Sequence, residues 1–315
     1  MKFTERIKQA ALLIGFHKIG ISPAAPLKEF SFFEYWLSRG YHGKMEWMSS
    51  TRESRRDPSR LLPGARSVIS VALNYYTDFS HSEDKRHGKI SRYAWGRDYH
   101  TIMKKMLRKL LNFIKMECKE MGEYSPSNLI IGKIAVDSSP VMEKVLAERA
   151  GIGWIGKNSN LITKDFGSWV FLGEIMLNAE LEYDTPSRNF CGKCRRCIEA
   201  CPTGAIVEEG VINSNLCISY LTIEHRGEFP AEITGIPERW IFGCDICQDI
   251  CPWNRFSKPT DVEEFFPSSQ TLLPELDKIS TISRDQFMLM FKDTPVMRTG
   301  WEGLVRNSLA AGKLS

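Results

Sequence analysis

No stretch of this chain stays apolar for the roughly 20 residues that a helix needs to cross a bilayer, so nothing in it predicts a membrane span. The opening MKFTERIKQAALLIGFHKIG holds only a short apolar run and no small-residue cleavage site. That excludes reading it as a secretion signal and leaves an amphipathic helix near residues 2–16. Strong charge of either sign is also missing: a formal net charge of +4 over 315 residues permits a polyanionic partner without demanding one. Internal repeats and low-complexity tracts are lacking as well. With no export signal, the protein is expected in the cytoplasm, as a monomer.

Cysteine, by contrast, is plentiful. Eight of the nine cysteines lie between Cys191 and Cys251, and only Cys118 stands apart. In a reducing compartment such clustering predicts metal ligands rather than disulfides. Cys191, Cys194, Cys197 and Cys201 follow C-x2-C-x2-C-x3-C with Pro202 next, the run of two-cluster bacterial ferredoxins, in which the fourth cysteine serves the other cluster. Cys217 and then CDICQDICP, with Cys244, Cys247, Cys251 and Pro252, repeat the pattern with a stretched first spacing. The crossing rule gives one [4Fe–4S] cluster Cys191, Cys194, Cys197 and Cys251, and the other Cys201, Cys217, Cys244 and Cys247. Paired C-x2-C units also make zinc sites, but zinc has no need of three cysteines at successive spacings of this kind followed by Cys-Pro. A ferredoxin alone is far shorter than this chain, so the upstream segment is expected to hold the chemistry.

That segment mixes elements without a strict βαβ repeat, which predicts an α+β arrangement of layers. Apolar periodicity places helices at 28–38 and 99–121 and strands at 67–76 and 128–137. A helix is expected over SSPVMEKVLAERA with Pro140 near its start, and a hairpin over 160–177 turning at Asp165–Gly167. The chain divides into a catalytic domain at 1–185, a double-cluster domain at 186–258 and a short helical segment at 259–315. GIGWIGKN, residues 151–158, matches two nucleotide-binding patterns as text. Both require a strand before and a helix after, and here a helix precedes and a strand follows, so the glycines are expected to admit a close-lying chain or flat ligand. DYHTIM, residues 98–103, approaches the D-x-H-x-x-G pattern of histidine-bound cobalamin, with Met103 at the glycine position.

RYAWGRDYH (92–100), Val136 and Asp137 with the SSPVMEKVLAERAGIGWIGKN that follows them (136–158), NLITKDFGSWVFLGEI (160–175) and the double cysteine pattern together resemble the epoxyqueuosine reductase family, over residues 5–256. The resemblance implies a cobalamin-dependent reductase whose N-terminal α/β-layer domain is similar to that of reductive dehalogenases. Its reaction would remove the epoxide oxygen of epoxyqueuosine at the tRNA wobble position, the last step of queuosine biosynthesis. An unidentified low-potential donor would feed electrons through the two clusters to cobalt. Longer members carry a helical-repeat extension, and this chain resembles a short form.

The resemblance also implies roles for residues. Asp137 matches the catalytic aspartate, an acid that would need burial to raise its pKa; the competing reading of Asp137, Ser138, Ser139 and Pro140 is a helix cap. Glu143 reads as a solvated helix carboxylate. Matched positions imply cobalamin contacts at Arg55, Ser91, Asp137, Leu161, Leu172, Ser219 and Asp245, with Lys157 and Asn158 at the corrin periphery. Basic clusters suited to tRNA phosphates are Arg52, Arg55, Arg56 and Arg60, then Lys104, Lys105, Arg108 and Lys109, then Arg195 and Arg196. His225 and Arg226 are expected at the mouth of the site, and Trp95, Tyr99, Trp154 and Trp240 are candidates for stacking on a base. Two other readings stand beside this one: a reductive dehalogenase, which would carry a twin-arginine signal that is absent here, and an electron-transfer subunit, which has no need of Asp137.

Overall fold

A computed structural model describes residues 2–120 and 129–313. An antiparallel sheet of four strands lies at its centre, in the order Lys18–Pro23, Ser67–Asn74, Val170–Leu177, Gly132–Ala135. Strand Ser67–Asn74 is buried along its whole length, which is why SVISVALN is apolar without alternation: both faces of the sheet are covered. Pairing aligns Ile21, Ile69, Ile175 and Ile134 in one row across the sheet, and Gly20, Ser70, Glu174 and Ala135 in the next. Successive rows point to opposite faces.

The isoleucine face packs on helices Phe3–Ile14 and Tyr99–Glu120 through Ile7, Ala11, Leu107, Leu110 and Ile114. The other face packs on helix Glu143–Arg149. Val145 and Leu146 meet Val68, Ala135 and Met176, and Ala147 meets Ala72 and Leu172. The expected α+β layering is therefore present, with the N-terminal and long helices close to where periodicity put them. Residue 121 of the expected long helix and Asn128 of the expected strand lie outside the described residues.

Two expectations change, and one strand was not foreseen. Strand Lys18–Pro23 had no sequence signal: KIGISP is short and ends in proline, which a strand at the sheet edge tolerates. Its Gly20 is required, because a Cβ there would lie 2.0 Å from the Ala150 carbonyl oxygen. The helix after Asp137 begins at Glu143, not at Pro140. The hairpin over 160–177 does not form: Leu161–Ile162 pairs with Trp154–Ile155, while Val170–Leu177 enters the central sheet. Between them Thr163 bridges Gly167, and the turn is clamped to the cysteine-rich half by the Ser168 N–H donating to Asn254 Oδ1 at 2.7 Å.

GIGWIGKN shows why its glycines are there. A Cβ at Gly153 would sit 2.2 Å from the Ile162 carbonyl oxygen, and Gly151 has φ +75° beside the Thr185 carbonyl. Helix Glu143–Arg149 precedes and strand Trp154–Ile155 follows, the reverse of a phosphate-binding context.

In the cysteine-rich half, helices Arg196–Glu199 and Ile246–Asp249 each stand between cysteines of one run. The C-terminal helices, including Leu276–Thr281, Arg284–Phe291 and Gly300–Gly312, wrap a core of Ile90, Ala94, Trp95, Ile241 and Phe242. Buried Asn307 donates from Nδ2 to the carbonyls of Thr222 and Ile241, at 2.7 and 2.8 Å. The segment is thus stitched to both upstream parts. No helix among the described residues is long and apolar enough to cross a membrane.

Candidate active site and cysteine clusters

The eight thiols fall into two sets. Cys251 lies against Cys191 and Cys194, and Cys197 against all three. These four line one cavity of about 430 Å³ with Phe190, Trp253 and Phe256. The remaining four interact among themselves: Cys217 with Cys201, Cys244 with Cys247 and Cys217, and Cys247 with Cys217 and Cys201. Cys247 also feels Cys197, so the sets adjoin. Burial pushes the Cys244 and Cys247 thiols up; thiolates at such positions need the charge of a metal to balance them. Among the described residues no three His, Cys, Asp or Glu side chains converge on one ion. A cubane takes one thiolate at each of four separate irons, and each set offers four cysteines.

Asp137 follows strand Gly132–Ala135 after one residue, Val136, and adopts φ +45°, a left-handed conformation that aspartate tolerates better than most residues. It does not cap the following helix, whose N-cap is Met142. Its Oδ2 lies 3.0 Å from His100 Nε2, and the other ring nitrogen of His100 lies 2.7 Å from Asp98 Oδ1. Tyr99 also hydrogen-bonds the Asp137 carboxylate. With a carboxylate on each side, the His100 ring donates from both nitrogens. Burial works against its charge, yet the two aspartates raise its pKa to about 9. Burial pushes Asp137 up, but the hydrogen bonds from His100 and Tyr99 and the charges of His100 and Arg298 together outweigh it and hold the carboxyl below its ordinary value. The raised acid expected from sequence is therefore reversed: at neutral pH the proton resides on His100, and Asp137 is its ionised partner.

Glu143 also departs from its expected role as a solvated carboxylate. It accepts the Asp137 backbone N–H, and burial, with the Asp137 charge, pushes it up to about 7 against Lys144 and Arg55. Arg55 is 7% exposed, packs over the rings of Phe33 and Trp47, and donates to the Val141 carbonyl at 3.0 Å. Lys144 donates to the Ser159 carbonyl at 2.8 Å and interacts with Glu143, Asp137 and Cys247 alike. It therefore ties the acid site to the second cysteine set. Arg298, from the C-terminal segment, interacts with Asp137 and is held by Glu224 at 3.0 Å. His100, Glu143, Lys144 and Arg298 were not among the expected site residues. Only the near miss DYHTIM drew attention to His100, and Met103 within it is a fully buried core residue.

Other expected residues divide. Asn158 is buried and donates to the Cys247 carbonyl at 3.2 Å, and Lys157 pairs with Glu209 at 2.7 Å. Ser219 is half-buried and hydrogen-bonds the Cys217 thiol. Ser91 and Asp245 are buried and bonded to each other at 2.6 Å; Asp245 also accepts the Arg92 N–H at 2.7 Å and a Gln248 amide hydrogen at 3.2 Å. Leu161 and Leu172 lie in the core beneath helix Glu143–Arg149. Lys105, Arg108 and Lys109 are exposed and Lys104 half-buried on the long helix, whereas Arg55 is buried. Trp95, Trp154 and Trp240 are each 1% exposed, so none is free to stack on a base, and Tyr99 is sandwiched by Phe171 and His100. His225 is buried too: it stacks on Phe229, bonds the Glu228 carbonyl at 2.7 Å and lines a cavity of about 190 Å³ with Lys44 and Tyr220. Arg226 is exposed and braces Arg298, donating to its carbonyl at 2.7 Å.

Two family models match the chain: "Epoxyqueuosine reductase QueG, DUF1730" over residues 55–138, and "4Fe-4S double cluster binding domain" over 190–254, which spans all eight clustered cysteines. An epoxyqueuosine reductase of Atelocyanobacterium thalassa is 44% identical, over 98% of this chain and 99% of its own. That of Escherichia coli is 38% identical, over 98% and 80%. A crystal structure of epoxyqueuosine reductase with an epoxyqueuosine-modified tRNA-Tyr stem loop superposes with TM-score 0.86 at 31% identity, over 98% of this chain and 80% of that one. A Bacillus subtilis epoxyqueuosine reductase, captured with its catalytic aspartate loop swung out of the active site, gives 0.84 at 29%, over 98% and 80%. A shared fold, a matching cysteine framework and identity over nearly the whole length lead to one conclusion: this chain belongs to the epoxyqueuosine reductase family.

Proposed function

We propose that this protein reduces epoxyqueuosine to queuosine in tRNA, drawing electrons through two [4Fe–4S] clusters to a cobalamin and delivering a proton through Asp137. The observation that carries the reading is the position of Lys144, which interacts with the acid Asp137 on one side and with Cys247 of the second cysteine set on the other. A reaction that consumes electrons and protons at one carbon–oxygen bond needs both sources within reach of the same point.

Cys191, Cys194, Cys197 and Cys251 hold the outer cluster, whose cavity opens beside exposed Phe190 and Phe256, and an electron donor docks there. Cys201, Cys217, Cys244 and Cys247 hold the inner one. Two residues beside that cluster fit a corrin in chemistry: the Asn158 amide, next to Cys247, and the Ser219 hydroxyl, next to Cys217, suit its amide arms. Cobalamin, when bound there, supplies the reduced cobalt that passes two electrons to the epoxide.

The protein's own part is protonic. An alkoxide is a poor leaving group, so the oxygen must take up a proton as its bond to carbon breaks. At rest that proton lies on His100; Asp137, ionised and hydrogen-bonded to the ring, relays it to the departing oxygen, while Asp98 fixes the ring in orientation. An electron carrier has no use for this Asp98–His100–Asp137 chain. The basic face of the long helix begins at the same place, with Lys104 close enough to Asp98 to act on its carboxyl. It offers phosphate contacts that lead an anticodon stem to the acid. The enzyme works in the cytoplasm, where its thiols stay reduced.

The test is anaerobic reconstitution with iron, sulfide and cobalamin, followed by a low-potential reductant and an epoxyqueuosine-bearing anticodon stem loop. The expected outcome is about eight irons and one corrin per chain, with queuosine in the digested RNA. Full cluster loading with no corrin retained and no queuosine formed would return the chain to the electron-carrier reading.

A further inference from the structure

Deoxygenating an epoxide to an alkene breaks two carbon–oxygen bonds, forms one carbon–carbon π bond and consumes two electrons. The oxygen departs as water only if it also gains two protons. The Asp98–His100–Asp137 chain holds one transferable proton between His100 and Asp137, and after giving it up must be recharged before acting again. We propose that Glu143 is the second acid of this reaction, supplying the proton that Asp137 does not; the inference rests on the reductase reading above.

The geometry brings Glu143 to the right place. Its carboxylate accepts the backbone N–H of Asp137 itself, so the two acids flank the same short stretch of chain. It sits half-buried in the first turn of helix Glu143–Arg149, facing the loop that carries Asp137. Beneath it is a second carboxyl, Glu174, on the central strand. Glu174 stands directly across from Ala135 and between Leu172 and Met176 along its own strand. Ala135, Leu172 and Met176 all pack on helix Glu143–Arg149 or the chain just before it, so by strand parity Glu174 projects towards that helix. It is fully buried, and neither of its oxygens has a hydrogen-bond partner among the described residues.

A carboxyl in that position stays neutral, because ionising it would leave an unpaired charge in the core. Its interaction with Glu143 raises it further. Glu174 therefore keeps its proton, and Glu143 is the member of the pair that exchanges one. The groups facing Glu143 are Asp137 from the loop, Arg55 from the helix Arg52–Arg56, Lys144 from its own helix, Tyr99 from the long helix and Glu174 from the sheet. Burial and Asp137 outweigh the two cations and leave the carboxyl titrating near neutrality, where a general acid works best.

Glu143→Gln separates this role from a structural one, because the amide oxygen still accepts the Asp137 N–H while the side chain carries no acidic proton. Cluster content, corrin uptake and stem-loop affinity are expected to stay unchanged. Single-turnover reduction of the epoxyqueuosine stem loop should slow about 100-fold. The wild-type rate should fall as pH rises through about 7, and this limb should be missing from the residual activity of the variant. Glu143→Asp should regain part of the rate. A second measurement needs no turnover: infrared difference spectra of the wild-type protein should show a carboxylic acid C=O band that disappears near neutral pH and is absent from Glu143→Gln. A variant within about threefold of wild type with an unchanged pH profile, or a wild-type protein with no such band, overturns the proposal. Asp137→Asn, assayed in parallel, reports on the first acid separately: if it loses activity and Glu143→Gln does not, only the second acid is wrong.

Discussion

The cysteine half and the acid half of the molecule are built on opposite plans. Seven of the eight cluster cysteines come from two compact runs, in which a short helix holds each set of thiols at fixed spacing. The acid site takes Arg55, His100, Asp137, Glu143, Glu174 and Arg298 from six separate segments, and brings them together only when the sheet, the long helix and the C-terminal segment have packed. Local chemistry in the first case, and tertiary packing in the second, decide where charge resides. Electrons are handled by a module whose ligands are set by spacing, protons by a constellation that exists only in the folded chain.

The largest expected effect breaks the electron side. Cys244→Ala should lower iron from about eight to about four per chain and abolish turnover with any external reductant. Normal turnover in that variant would mean that electrons bypass the inner cluster. Next comes the proton side: Asp137→Asn should retain clusters and corrin and lose about 1,000-fold in rate. Full activity in that variant would end the case for Asp137 as an acid. His100→Gln should cost less, about 100-fold, and should also change how stability responds to pH. Because the folded-state pKa of His100 is raised to about 9, its stabilisation is fully present below about pH 6.5 and lost as pH rises through about 9. Anaerobic calorimetry should find that this decline is missing in the variant; an unchanged decline would place the proton elsewhere. The smallest effect lies at the surface. Replacing Lys104, Lys105 and Arg108 by glutamate should weaken stem-loop binding about tenfold and flatten its salt dependence, leaving the chemical step intact. An unaltered salt slope would move the RNA to another face.

What could be read from sequence follows the same division. The cluster cysteines were legible because three thiolates of one run must reach three irons of one cube, and that need is written as spacing. Asp137 was legible as a site but not in its protonation: the partner that reverses its shift, His100, lies on another element, and nothing local reports the 3.0 Å contact. Glu143 looked like an ordinary helix carboxylate because what buries it is the sheet behind it. One signal was available: Glu174 places a carboxyl inside VFLGEIML, an otherwise apolar strand, and an acid at such a position calls for an explanation. The missed strand Lys18–Pro23 and the misjudged hairpin over 160–177 have a common cause. Short strands take their partners from tertiary packing, and the turn at Thr163–Gly167 is shaped by Asn254 from the cysteine-rich half.

Arg298 gives the order of synthesis a meaning. A growing chain presents every cluster cysteine before it presents Arg298, which acts on the Asp137 charge and is fixed by Glu224 and Arg226. Maturation can therefore load metal onto a protein whose acid centre is still missing a cation. A nascent chain that has not yet reached residue 298 carries every cluster ligand but not the completed acid centre. In such a chain, reducing power arriving early has no completed site at which to be spent.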